Sequence, residues 1–256
     1  MISETKRDGF RNAPRAWRLA LALAILFALP QAPAWAAAGF TTDFRLEDCT
    51  WSAWGKQNPY FSLRPGRQLV LEGEEDGAEI RAEITVLRQV ETLTFTTARG
   101  VPMTVTARVV EEREFEDDEL VEVSRNWFAR CVETSDIFYF GEEVDIYEDG
   151  VLVNHHGAWR AGEDGAQPGL TMPGTFLLGA RYFQEMAPDV AEDRAENVEM
   201  GQRVTVPAGS FADCVVVEET NALSPGDKGL KTYCPGVGIV KDEALKLIES
   251  RVAPPE

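Results

Sequence analysis

Short runs of Val, Ile, Thr, Phe and Tyr, cut every few residues by turn-forming Gly, Asp and Pro, constrain this chain more than any other feature. The cuts fall at Gly73 to Gly77, Arg99-Gly100, Glu116 to Glu119, Glu148-Asp149-Gly150 and Pro225-Gly226. Runs of this length at this spacing read as antiparallel strands. They cover 68–72, 78–91, 103–115, 120–130, 137–140, 144–148, 151–155, 202–206, 214–220 and 230–233. The expected fold class is mainly β: one large, curved antiparallel sheet, open or partly closed like a barrel. Two segments read as short helices, the Ala-rich acidic 190–196 and 242–248 near the C-terminus. No linker or repeat interrupts the chain after residue 37, so 37–256 is expected to form a single β-rich extracytoplasmic domain.

Residues 1–36 read as a cleavable signal peptide. Lys6, Arg7, Arg11, Arg15 and Arg18 form a basic head, an apolar run from Leu19 to Leu29 follows, and Ala34-Trp35-Ala36 closes it as a small-residue cleavage site. The run is shorter than the roughly 20 apolar residues a spanning helix needs, so no stable membrane insertion is expected after cleavage. The expected location is the periplasm or the medium. The segment holds five basic and two acidic residues, so its removal takes the net charge from −18 to −21. Such acidity disfavours nucleic acid, whose binding depends on Lys and Arg neutralising phosphate. No segment has the spacing of a calcium loop, and no metal or other cofactor is expected.

Cys49, Cys131, Cys214 and Cys234 all follow the signal, and an even count in an oxidising compartment reads as two disulfides. Four cysteines allow three connectivities. Cys214 to Thr220 is a β-branched run, Asn221 to Lys228 a turn-rich loop, and Gly229 to Cys234 the return. A hairpin centred near Ser224 places Cys214 opposite Cys234, close enough to bridge, which leaves Cys49 for Cys131.

Asp149-Gly150 has the composition of a two-residue hairpin turn. It sets Glu148 against Val151, Ile146 against Val153 and Val144 against His155, which together form an apolar face. His155 closes that stripe and His156 points to the other side, opposite Glu143. These are the chain's two histidines, and a single metal ion is not expected to use both.

The chain has no zinc-protease, nucleophile-elbow, P-loop or dinucleotide-binding motif. Cysteines committed to disulfides leave no thiol nucleophile, while 41 acidic residues after processing make any one carboxylate pair uninformative. The segment 157–174 is rich in Gly and Pro yet carries large apolar groups. Ordered loops of that kind cap a sheet or line a pocket. With the aromatic segment after it, this makes Trp159, Arg160, Leu170, Met172, Tyr182 and His155 the candidate ligand-contacting residues.

The motifs GEEVDIYEDG (141–150), WRAGEDGAQPG (159–169), VPAGSF (206–211) and PGVGIVK (235–241) resemble an uncharacterised family of bacterial exported β-rich proteins. The likeness spans about residues 58 to 241. Cys234 departs from the family pattern, which implies a disulfide particular to this member. The VPAGSF and PGVG strands are also similar, at the level of fold, to lipoprotein-carrier domains of the cell envelope. The resemblance implies no reaction and no catalytic residue. The expectation is therefore a non-catalytic extracytoplasmic binding or accessory module, taking a small amphipathic ligand or an envelope partner protein. The alternative is a carboxylate-based hydrolase. Two acids converging in a pocket about 5–9.5 Å apart would favour the hydrolase; a mostly apolar groove would favour binding.

Overall fold

Alternating side chains and left-handed turn residues generate the architecture. The computed structural model describes residues 39–54 and 58–252; the expected signal peptide, 1–36, lies outside the described residues. Sixteen strands follow one another: β1 (Trp51–Ser52), β2 (Arg67–Glu75), β3 (Ala78–Thr96), β4 (Pro102–Glu116), β5 (Glu119–Cys131), β6 (Ile137–Glu148), β7 (Val151–Asn154) and β8 (Trp159–Arg160). Then come β9 (Gln167–Met172), β10 (Arg181–Phe183), β11 (Glu185–Met186), β12 (Asp193–Val206), β13 (Gly209–Asn221), β14 (Lys228–Cys234), β15 (Gly238–Asp242) and β16 (Leu245–Val252). Among the described residues helical structure is confined to a single 3-10 turn, Leu46–Asp48.

The strands form one large antiparallel sheet, built from two five-strand meanders, β2–β6 and β12–β16. The meanders join through β16 and β2, whose register runs from Lys246 opposite Glu72 to Val252 opposite Arg67. The hydrogen-bonded path starts at β10 and ends at β11, so the sheet does not close into a barrel. Yet only Gln184 separates those two strands in the chain. Its backbone N–H donates to Asp193 O at 2.8 Å, Tyr182 pairs with Ala195 on one side, and Glu185 pairs with Pro168 on the other. The sheet therefore coils until its two edges meet at a seam. Gly169 makes the seam possible, because a Cβ there would lie 2.4 Å from the backbone of Gln184.

Turn chemistry explains the hairpins. Asp76-Gly77 and Asp149-Gly150 both take positive φ at both residues, as a type I′ turn requires. The β6–β7 register starts as expected, with Glu148 opposite Val151, but then shifts so that Ile146 faces Asn154 rather than Val153. All four residues of β7 are exposed, so this hairpin has no apolar packed face. Neither expected helix forms. Residues 187–191 make a tight turn with Asp189 at φ 61°, after which buried Ala195 and Asn197 alternate with less buried neighbours in β12. Glu243, at φ 48°, turns β15 into β16, where Leu245 and Leu247 are buried two residues apart. Period-two burial against an adjacent strand overrides helix propensity in both places.

The Gly/Pro-rich segment is not a free loop. Its ends are β8, paired with β6 at Trp159–Glu142, and β9, paired with β6 at Leu170–Phe138. On one face of β6, Trp51 packs edge-on against Phe138 and Phe140, at 5.4 and 5.1 Å between ring centres. Three residues of β3, Leu87 to Gln89, bulge out of register between Val86 and Val90. The fully buried Arg108 donates to the carbonyls of Arg88 (2.6 Å), Gln89 (3.2 Å) and Ala53 (3.1 Å). It thereby satisfies acceptors that the bulge takes out of the ladder.

Both disulfides join the pairs expected from the sequence. Val215 opposite Tyr233 puts Cys214 beside Cys234, Cα atoms 4.2 Å apart. Cys49 is bonded to Cys131, Cα atoms 5.1 Å apart, at the β1–β5 pairing.

Candidate functional site

Three strands carry inward positions that change character along their length. On β4 they run Val110, Glu112, Glu114; on β14 they run Tyr233, Lys231, Gly229; on β13 the buried Val215 and Val217 give way to Glu219. The apolar ends of β4 and β14 line a cavity of about 280 Å³ inside the coiled sheet, with Phe61, Leu69, Ile84 and Phe128. Glu112, Asp193, Glu219, Lys231 and Asp242 line both this cavity and a second, more acidic hollow of about 560 Å³. The two hollows therefore abut along the strand direction. The first is lined by aromatic and aliphatic side chains and, where it abuts the second, by charged ones.

A bulge aims one of the charges. Asn126 faces Glu142 and Phe128 faces Tyr139, so β6 has one residue more than β5 between these pairs. The extra residue is accommodated at Gly141, whose φ of +137° and whose closeness to Trp159 O (2.5 Å from a built Cβ) exclude other residues. Tyr139 and Glu142 consequently both line the cavity. Tyr139 stacks on Phe128 at 4.7 Å and donates its hydroxyl hydrogen to Asn126 Oδ1.

Six carboxyl groups line the cavity: Glu112, Glu142, Glu185, Asp193, Glu219 and Asp242. Two cations share it. Arg67 donates to Val237 O at 2.7 Å and Gly236 O at 3.2 Å, and Lys231 Nζ lies 3.1 Å from Glu219 Oε2 and 3.3 Å from Asp242 Oδ2. Gln184, at the seam, donates to Glu219 Oε1 at 2.8 Å. Burial opposes the charge on Lys231 most strongly, but Glu219 and then Asp242 overcome it and hold the ammonium well above its ordinary range. Its side chain keeps 30% exposure and lines both hollows.

The remaining carboxyls are pushed the other way. Burial raises Glu142 to about 7, reinforced by Glu122 and Asp193 and opposed by the hydrogen bond with Tyr139. Burial likewise raises Glu112 to about 7; Lys231 opposes the rise, while Asp242, Glu114 and Glu122 add to it. Burial and then the charge of Asp193 push Glu185 well above the carboxylate range. Asp193 rises as well, from burial first. Chemically the wall can hold a cation, and it can give or take protons near neutral pH.

None of the six candidate residues from the sequence lines this cavity. Trp159 is buried, edge-on to Tyr139 at 5.2 Å. Arg160 stacks over Trp127 at 4.7 Å and reaches Glu91 Oε1 at 2.6 Å. Leu170 and Met172 are buried in β9, and the Tyr182 hydroxyl donates to Asn197 Oδ1 at 3.0 Å. His155 stands at the root of the exposed hairpin with its Nδ1 2.8 Å from Val144 O and 3.0 Å from Asp145 Oδ1. Both neighbours are acceptors, so Nδ1 carries the hydrogen. Trp159 and Arg160 do line a third hollow, with Glu142 on its wall. Among the described residues the one set of three potential metal-ligand groups within 4.8 Å is Cys49, Cys131 and Glu133, and the two sulfurs are bonded to each other.

No helix among the described residues is long and apolar enough to cross a membrane. No protein-family description, curated protein or solved structure matches this chain.

Proposed function

We propose that this chain is a non-catalytic extracytoplasmic binding module that houses a small amphipathic ligand inside its coiled sheet. The observation that carries the reading is the lining of one cavity by an apolar, aromatic group of residues and by a group of carboxyls. Small-molecule sites of a few hundred Å³ set converging polar groups against apolar lining, and here polar and apolar residues share the lining about equally. Work outside the cytoplasm is supported by the two disulfides, by the signal-like first 36 residues and by the likeness to exported β-rich proteins. Glu185 and Asp193 lie at hydrogen-bond range of one another in the cavity, closer than the about 5–9.5 Å of a glycosidase pair; a second reading, a carboxylate-based hydrolase, would use them as a dyad that shares one proton.

Native mass spectrometry of the protein purified from its own host separates them. Binding predicts a stoichiometric small-molecule adduct that disappears in Val110→Phe, which narrows the cavity. Hydrolysis predicts no retained adduct, together with turnover of ester or glycoside substrates that Glu185→Gln abolishes. That second result would overturn the binding reading.

A further inference from the structure

The cavity has more carboxyl groups than cations to meet them. Lys231 is engaged by Glu219 and Asp242, and Arg67 by backbone carbonyls. Among the described residues Glu112, Glu142, Glu185 and Asp193 form no ion pair of their own.

Two further atoms point to a missing donor. Among the described residues Glu185 Oε2, on a residue 5% exposed, and Thr171 Oγ1, on a residue 9% exposed, have no hydrogen-bond partner, and both residues line the cavity; the groups that act on Glu185 at hydrogen-bond range are the Asp193 carboxyl and the indole N–H of Trp159, which is itself buried and unpartnered. A buried polar atom left unpartnered costs about 1–3 kcal/mol, so an occupant that satisfied both would recover part of that. A row of rings lines the same cavity, Phe61 to Phe128 at 5.0 Å and Phe128 to Tyr139 at 4.7 Å.

The chemistry of the occupant follows by exclusion. An anion would meet a wall of carboxyl groups. A protein cage for a hard divalent cation brings several oxygens together, whereas among the described residues no three of these carboxyls bring their oxygens within 4.8 Å of one another. An alkylammonium head has three donors, no acceptor and one charge, and it needs only separate acceptors around it. We propose that the cavity binds an amphipathic primary amine. Its ammonium lies at Glu185, Thr171 and Glu142, and its apolar body lies along Phe61, Phe128 and Val110. The assignment rests on the binding reading above and names its ligand class.

Entry of the cation favours the ionised carboxyls. Glu142 is faced by Tyr139 on its own strand, Glu122 on β5, Glu185 on β11 and Asp193 on β12; among the described residues the one cation that lines a hollow with it outside this cavity, Arg160 on β8, is engaged by Glu91 at 2.6 Å. When the ammonium arrives, a carboxyl O–H gives its proton to the buffer and the amine keeps all of its own.

Isothermal titration of the purified, disulfide-bonded chain with octylamine, octanoate and octanol, matched in length, provides the test. Octylamine should bind, tighten at least several-fold from pH 6 to pH 8, and give heats that vary with the buffer's ionisation enthalpy in the sense of proton release. Glu185→Gln and Thr171→Val, two independent variants, should each weaken it about tenfold, and octanoate and octanol should bind far more weakly. Octanol or octanoate binding as tightly as octylamine would overturn the amine assignment and leave the amphipathic site standing. Binding of none of the three would overturn both.

Discussion

A carboxyl group enclosed by protein keeps its proton to higher pH, because its ionised form has lost water. Glu112 and Glu142 do so up to about 7. In the unfolded chain each titrates near 4.5, so between those values the folded state holds more protons. Stability must then fall as pH rises from about 4.5, and the loss from these groups is complete once pH exceeds about 7. The size is at most about 3 kcal/mol per group, and less where a group borders the open hollows, because solvent screens it. Urea denaturation at pH 5.5 and pH 8 should show the wild-type chain weaker at pH 8, with the double variant Glu112→Gln, Glu142→Gln flattening the difference. An unchanged slope in the variant would mean that general surface repulsion, not these two groups, sets the trend. Little of this could be read from the residues themselves. Acids are so frequent that no one of them stands out. The usable signal was phase: Glu219 continues the spacing of the buried Val215 and Val217, and Lys231 that of Tyr233. The large apolar residues of segment 157–174 did stand out, and they serve packing, as Met172 with no exposed surface illustrates.

Elements were legible where a turn sets two positive φ values and a plain alternation follows. Asp76-Gly77 is such a place; the Cys214–Cys234 hairpin was legible instead from a turn-rich loop between a β-branched run and its return. They were illegible where a bulge interrupts the alternation, as at Gly141 and at Leu87 to Gln89, because an extra residue reverses which side chains face inward. The short strands β8–β11 escaped for another reason: each is defined by its partner rather than by its own composition. The seam they build depends on close backbone approach at Gly169. Gly169→Ala puts a methyl group where the Gln184 backbone lies, and should destabilise by about 1–3 kcal/mol as an overpacked site does. Equilibrium urea unfolding measures it. Hydrogen exchange at Gln184 and Glu185 should rise in the same variant, whereas a purely local effect on β9 would leave those two amides unchanged.

At the scale of the molecule the two meanders are covalently consecutive but meet twice, once at β16–β2 and once at the seam. Each disulfide stays within one of them: Cys49–Cys131 in the half that contains β2–β6, and Cys214–Cys234 in the half that contains β12–β16. Pairing Arg67 with Val252 brings together residues nearly the whole described chain apart, and such non-local pairing is slow, on the order of milliseconds to seconds in all-β domains. Oxidation within a half has no need to wait for it. The reduced, unfolded chain should therefore acquire both native bridges while tryptophan fluorescence still reports an incomplete fold, as alkylation quenching followed by peptide mapping would reveal. Bridges that appear only together with the final fluorescence would show that the halves dictate each other's order. On the first outcome, cysteine chemistry sets the clock for each half, and the meeting of first and last strands sets the clock for the whole.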